Sequence, residues 1–195
     1  MNPIPEIPLP EGRSLTVAFP GDIHFIDAPA KSRHDAYFDA LIDKATEILD
    51  ENDVVVWLGD LFDRPTMPVG SLYRVVQTFI PSHLSGKPVY SIVGNHDVPS
   101  YNVSSLRQTS LGFLDLLGLV KVVEGLKIGP VTVGSIPFGA TTTFPDTAGV
   151  DILLGHCFYQ SGADPAMSLK REDVEASGVP YIVLGHDHEP HKPLT

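Results

Sequence analysis

Five short segments of the sequence combine a glycine with Asp, Asn or His side chains. They are GDIH (21–24), GDLFD (59–63), GNHD (94–97), GHCF (155–158) and GHDH (185–188). Seven of their side chains are candidate metal ligands: Asp22, His24, Asp60, Asn95, His156, His186 and His188. Imidazole combined with carboxylate suits Mn, Fe, Ni or Zn better than Ca or Mg alone. Seven ligands are too many for one tetrahedral site, so the pattern favours two divalent metals that share a carboxylate.

Each segment taken alone also has an ordinary explanation. A Gly-Asp pair after a strand is common, and Asp63 is expected to form a turn with Arg64 and Pro65. Cys157 is expected to be a small core residue rather than a ligand. Three further histidines are interpreted as ordinary surface residues: His34, His83 and His191. The indication of a site comes from the joint occurrence of all five segments in one chain.

The elements that must position these side chains are short apolar strands. Each segment directly follows a run rich in Val, Ile or Leu: 15–20, 53–58, 88–93, 151–154 and 181–184. Such runs predict buried strands. Apolar residues at helical spacing predict a helix over 33–52, and further helices are expected at 71–80, 104–118 and 168–178. A further strand is expected over 131–138 and a surface loop over 139–149.

Alternating strands and helices indicate an α/β fold with parallel strands joined by crossover helices. In such sheets, ligands bind in the crevice beyond the carboxyl ends of the strands. All five segments are predicted to lie at strand ends of this kind. The chain has 195 residues, and no change of composition marks a second domain. We therefore expect an extended N-terminal arm over 1–14 and a single domain over 15–195.

Composition excludes some functions and disfavours others. No apolar run is long enough to suggest a membrane span, and the N-terminus lacks the features of a signal peptide. A single cysteine suits a reducing compartment, so a cytoplasmic location is expected. The net charge of −11 disfavours a general nucleic-acid surface. Two bound divalent cations would change this to roughly −11 + 4 = −7 and would make the local field at the site more positive.

In order, the five segments resemble the signatures of the calcineurin-like metallophosphoesterases, over roughly residues 15–190. The resemblance implies a four-layer α-β-β-α sandwich with two mixed β-sheets and a dinuclear site at one end. It implies that one metal is bound by Asp22, His24 and His188. It implies that the other metal is bound by Asn95, His156 and His186. Asp60 matches the carboxylate that bridges the two metals. Mn²⁺ is the expected ion, with Fe, Ni or Zn as alternatives.

The same resemblance implies the catalytic roles. His96 matches the histidine that meets the phosphate or its leaving oxygen, and Asp97 matches its orienting partner. Arg64 lies where some members place an arginine on the phosphate, although Pro65 replaces the glycine that follows it there. Asn95, as a neutral ligand, leaves net positive charge for an anionic substrate. Two adjacent cations lower the pKa of a bridging water and clamp the phosphate, which predicts hydrolysis of phosphate mono- or diesters.

Three functions stay open: two kinds of phosphoesterase that differ in their substrate, and a protein without catalytic activity. The motif style is closest to the DNA-repair nuclease branch of the family (Mre11 and SbcD), which makes a DNA nuclease the alternative. The acidic charge favours a phosphatase or phosphodiesterase acting on small phosphate esters, including nucleotides. A non-catalytic scaffold is least expected, because the motifs are intact. Only seven residues follow His188, whereas family members usually continue with strands that complete the second sheet. Three explanations stay open: a compact version of the fold, a truncated sequence, or a second subunit that supplies the missing edge, which would make a homodimer.

Overall fold

The computed structural model describes residues 4–26, 33–136, 138, 146–159 and 168–186, apart from the side chains of residues 33 and 34. The predicted ligand His188, the predicted surface residue His191 and residues 139–145 of the predicted loop lie outside these ranges, as does the side chain of His34. The helices are α1 (Arg33–Glu51), α2 (Val69–Leu84), α3 (Ser110–Leu116) and α4 (Arg171–Ser177). A 3₁₀ turn spans Val103–Gln108, and a turn with left-handed backbone at Ser100 and Tyr101 precedes it at Pro99–Tyr101.

The strands form three sheets. In chain order they are β1 (Glu6–Ile7), β2 (Val17–Ala18), β3 (Val54–Trp57), β4 (Val89–Ser91), β5 (Lys121–Val122), β6 (Gly125–Ile128), β7 (Val131–Ile136), β8 (Ile152–His156), β9 (Phe158–Tyr159), β10 (Ser168–Leu169) and β11 (Tyr181–Gly185). One sheet has the order β2-β3-β4-β5, the second β1-β6-β7-β8-β11, and β9 pairs with β10 alone.

Two sheets packed between helices give the predicted four layers. Strand β3 shows why, because all four of its residues are buried and alternate between two cores. Val55 and Trp57 pack with α1, α2 and α3 on one face. Val54 and Val56 pack against the second sheet on the other face. A third core, which includes Leu153 and Cys157, joins the far face of the second sheet to α4.

The α/β sandwich predicted from the sequence is confirmed, with one difference in the sheets. The four-stranded sheet is parallel at every described pairing. Only the five-stranded sheet is mixed, through the antiparallel pair of β6 and β7. That pair is a tight hairpin, whereas the parallel neighbours of the first sheet need crossover connections, which contain α1, α2 and α3.

The helices agree with the predictions in number and differ in their ends. Helix α1 ends one residue before the predicted limit, and α2 extends beyond 71–80 at both ends. The predicted helix over 104–118 is interrupted at Thr109, which has extended backbone and whose side chain accepts a hydrogen bond from the Gly112 amide as the N-cap of α3. Helix α4 starts late because Ser168 and Leu169 pair with β9. Among the described residues, no helix is long and apolar enough to cross a membrane.

Candidate metal centre

The carboxyl ends of five parallel strands converge on one group of side chains. Asp22 and His24 follow β2, Asp60 follows β3, and Asn95 and His96 follow β4. The other two candidates are His156, the last residue of β8, and His186, which directly follows β11. Three sets of side chains among the described residues each hold possible ligand atoms within 4.8 Å of one another. Two of these sets contain Asp60: Asp22 with His24 and Asp60, and Asp60 with His156 and His186.

Asp60 is the residue that both sets share. Its side chain is 1% exposed. Its Oδ2 atom lies 3.2 Å from Nε2 of His156, 3.6 Å from Nε2 of His24 and 3.9 Å from Nε2 of His96. Burial alone would raise the pKa of this carboxyl, but the interaction with His156 and the His96 amide lowers it below the ordinary value. Asp60 is therefore held as a carboxylate in the middle of the cluster.

His156 is oriented by a backbone carbonyl. Its Nδ1 donates to the Leu58 carbonyl oxygen over 2.8 Å, since a carbonyl can only accept. Nε2 then faces Oδ1 of Asn95 at 2.9 Å and Oδ2 of Asp60 at 3.2 Å. In a neutral ring Nε2 carries a lone pair, so three acceptor atoms meet at this point. A proton or a metal cation among them relieves their repulsion. Burial lowers the pKa of His156, but Asp60 outweighs it and the net shift is upward.

His186 supplies the clearest sign that this donor set is built for a cation. Its backbone amide donates to both carboxylate oxygens of Asp22, at 3.0 and 2.9 Å, which joins the first and last loops of the site. Its Nε2 is buried and has no hydrogen-bond partner among the described residues. Such a group is normally satisfied, and here it belongs to the set with Asp60 and His156. The imidazole and carboxylate donors fit first-row divalent ions.

The backbone at the cluster is held in an unusual conformation. Asp22, His24, Asp60 and His186 have positive φ angles of 44°, 46°, 48° and 79°. Residues other than glycine avoid this region because Cβ crowds the following carbonyl, at a cost of roughly 1–2 kcal/mol each. Strain of this kind clusters at functional sites, where the surrounding structure holds it in place. Gly59 shares this backbone region, and a Cβ there would lie 2.7 Å from Nδ1 of His156.

His96 differs from the expectation in the group that orients it. Its Nδ1 donates to the backbone carbonyl of Asp63 over 2.7 Å. Asp97 instead accepts hydrogen bonds from the amides of Gly94, at 2.9 Å, and Phe62, at 3.3 Å. Asp97 therefore links the loop after β3 to its own loop, which follows β4, through these hydrogen bonds. Burial raises the pKa of Asp97 to about 7. Its catalytic role stays a prediction.

Asp63, which we expected only to form a turn, lies close to the site. A carboxylate oxygen of Asp63 lies within 4.8 Å of the ring nitrogens of His24 and His96. The signal available in the sequence is its place in GDLFD, three residues after Asp60. Arg64 is exposed on the same loop, and its contact with a phosphate stays a prediction. His83 is exposed as predicted, and Cys157 is a buried core residue.

Comparison with known proteins agrees with this geometry. The signature of the calcineurin-like phosphoesterases matches residues 15–190. The chain belongs to that family. Members of this calcineurin-like family are generally metal-dependent phosphoesterases, and the described His and Asp groups are candidate ligands for divalent metals.

Two curated relatives within the calcineurin-like family are similar to part of the chain. The DNA double-strand break repair protein Mre11 of Aeropyrum pernix is 25% identical over 169 residues, which cover 74% of this chain and 41% of the relative. The protein of the same name from Archaeoglobus fulgidus is 35% identical over 83 residues, which cover 42% of this chain and 18% of the relative. The chain thus spans less than half the length of these relatives.

Proposed function

We propose that this protein is a phosphoesterase that holds two divalent cations, with Mn²⁺ as the expected ion. The observation that carries the proposal is the position of Asp60, whose buried carboxylate belongs to both sets of ligand atoms. Asp22 and His24 complete one set on one side of it, and His156 and His186 complete the other. We assign Asn95 and His188 as further ligands, Asn95 because its Oδ1 lies 2.9 Å from Nε2 of His156 and His188 from its motif.

Bound divalent cations supply the charge that neutralises phosphate oxygens and make water a better nucleophile at neutral pH. The chain's own residues supply orientation. The Asp63 carbonyl fixes the ring of His96 through Nδ1, which leaves Nε2 on the side of the cluster, 3.9 Å from Oδ2 of Asp60. When the ring also carries a proton on Nε2, that atom can donate to a phosphate oxygen or protonate the leaving group. His96 is half-exposed, so a substrate can reach it.

The test compares a chromogenic phosphomonoester and a phosphodiester, p-nitrophenyl phosphate and bis(p-nitrophenyl) phosphate, with Mn²⁺ and with EDTA. Mn²⁺-dependent turnover is expected, and the ratio of the two rates separates a phosphatase from a phosphodiesterase. His96→Ala should lower kcat by roughly 10²–10⁴-fold and retain full metal content by elemental analysis. The matched control is His83→Ala, which removes an exposed histidine outside both ligand sets and should leave turnover unchanged.

Asp60→Asn tests the shared carboxylate itself. It removes a charge from both ligand sets, so elemental analysis should show that the bound Mn²⁺ falls. Full occupancy of two sites in this variant would contradict the bridging assignment. The absence of wild-type turnover with any divalent metal would contradict the proposed enzymatic function.

A DNA nuclease is the second candidate, favoured by the similarity to two Mre11 proteins. The net charge of −11 opposes it, because duplex binding depends strongly on basic residues. Cleavage of linear duplex DNA by the wild type with Mn²⁺, absent in His96→Ala, would establish this activity. Hydrolysis of small diesters alone would favour the first candidate. The cytoplasmic location and the homodimer stay predictions.

A further inference from the structure

An aromatic pair lies directly beside the candidate metal centre. The ring of Tyr101 stacks on that of Phe138, with centroids 5.8 Å apart and planes at 29°. Phe138 in turn makes an edge contact with the ring of His156, at 6.3 Å and 66°. Tyr101 is nevertheless 64% exposed. Two rings in series therefore connect a candidate metal ligand to an open aromatic surface.

Burial does not explain why the chain presents Tyr101 in this way. Ser100 and Tyr101 both have positive φ angles, 51° and 58°, each of which is unfavourable for a residue with a side chain. Hydrogen bonds of Asn102 stabilise this conformation. The amide of Asn102 donates to the Pro99 carbonyl over 3.0 Å, and the Asn102 side chain accepts from the amide and hydroxyl of Ser104. Strained backbone of this kind clusters at functional sites, so this turn is a candidate functional position.

A groove adjoins Phe138. It has a volume of about 1050 Å³, and its lining combines apolar residues such as Val93, Val103 and Leu106 with the charged residues Asp115, Lys121 and Glu124. Val93 directly precedes the loop that carries Asn95 and His96. The groove thus lies close to the loop of Asn95 and His96, with a lining that is part apolar and part charged.

We propose that Tyr101 and Phe138 form a stacking platform for a nucleobase adjoining the phosphate ester, so that the substrate class is nucleotide esters. The proposal rests on the phosphoesterase function proposed above. Flat apolar bases stack on aromatic side chains without a requirement for sequence or charge. The net charge of −11 disfavours electrostatic binding of substrate phosphates outside the metal centre. We therefore expect base stacking to supply the further binding affinity.

The test uses substrates that differ only in a base. The first pair is thymidylyl-thymidine and its analogue in which a tetrahydrofuran abasic unit replaces one thymidine. The second pair is a single-stranded octathymidylate with and without such a unit next to the labelled linkage. Each is assayed with Mn²⁺ for the wild type, Tyr101→Ala and Tyr101→Phe. The matched control is Tyr181→Ala, because Tyr181 is 67% exposed and begins β11, at the end of that strand away from the site.

For the wild type we expect kcat/KM to be higher with the base present, by roughly tenfold. Tyr101→Ala should lose this preference, whereas Tyr101→Phe and Tyr181→Ala should keep it. A preference in both pairs supports free nucleotide esters as the source of the base, and a preference in the octamer alone supports a nucleic-acid strand. If Tyr101→Ala lowers kcat/KM equally with and without the base, the platform is wrong and the phosphoesterase function stands.

If none of these diesters is hydrolysed, the assay with p-nitrophenyl phosphate decides the proposed function, and binding decides the platform separately. Calorimetry then measures the affinity of thymidine monophosphate and of inorganic phosphate in the presence of Mn²⁺. A weaker affinity of Tyr101→Ala for the nucleotide alone supports the platform, and equal affinities of wild type and variant overturn it.

Discussion

Gly94 packs so closely against Asp60 that a single methyl group there tests the geometry of the whole centre. A Cβ atom at Gly94 would lie 2.2 Å from Oδ1 of Asp60 and 2.3 Å from its backbone nitrogen. Cβ contacts below 3.0 Å are essentially never found. One of the two contacts is backbone, so a rotamer change cannot relieve it. Gly94→Ala must therefore separate the loops that follow β3 and β4.

The expected cost follows from the tightness of this packing. Overpacking a close-packed site costs about 1–3 kcal/mol, and each 1.4 kcal/mol is a factor of ten in the unfolding equilibrium. With a urea m-value of about 2 kcal/mol/M, the midpoint should fall by about 0.5–1.5 M. Displacement of Asp60 by several tenths of an ångström should also lower metal content, and misplacement of about 1 Å costs on the order of 10²-fold in rate.

The assay combines urea unfolding followed by circular dichroism, elemental analysis and hydrolysis of bis(p-nitrophenyl) phosphate. The control is Gly70→Ala, the same chemical change at a position in α2 where an added Cβ meets nothing within 4 Å. It should leave activity unchanged and raise stability by up to about 1 kcal/mol. A Gly94→Ala protein with the wild-type midpoint, metal content and turnover would refute the close approach of the two loops.

Three further expectations concern the core, the thiol and a surface carboxylate. Phe79→Ala should lower the free energy of unfolding by about 3–5 kcal/mol, because Phe79 is fully buried; Tyr73→Ala, at an exposed position of the same helix, should change it by about 0.5 kcal/mol or less. Burial raises the pKa of Cys157 to about 12, so a thiol reagent at pH 8 should label it far more slowly in the folded protein than in denaturant, and rapid labelling of the native state would contradict its burial. Hydrogen bonds from the amide and hydroxyl of Thr16 lower the pKa of Asp53. The stability that they add is therefore present above the unfolded pKa near 3.8 and is lost as the pH falls through the lower folded value; the urea midpoints of wild type and Asp53→Asn should differ at pH 7 and converge as the pH falls below the folded pKa, and a constant difference would refute this contribution.

Several features of the fold could be predicted because they depend on local patterns. The limits of α1 follow from its apolar spacing, and the C-terminus of α4 follows from Gly178, which takes the left-handed conformation after the helix. The short strands β1, β5, β6, β9 and β10 were not predicted. All but β6 have two residues each, and neither they nor the four-residue β6 carry the long apolar runs that identified the other strands. Strand β1 exists only because its residues pair with Lys127 and Ile128 of β6.

What the sequence by itself determined is the chemistry of the candidate centre: glycine-led loops, rich in imidazole and carboxylate, after buried strands in a parallel α/β chain. Only the tertiary structure decided how each group is held. The carbonyl that orients His156 lies 98 residues away in the sequence, the carboxylate that accepts the His186 amide lies 164 residues away, and the partner of His96 is Asp63 rather than its neighbour Asp97. The stacking of Tyr101 on Phe138 is of the same kind. Residue types and strand ends are local properties, whereas hydrogen-bond partners depend on which loops the packed sheets bring together.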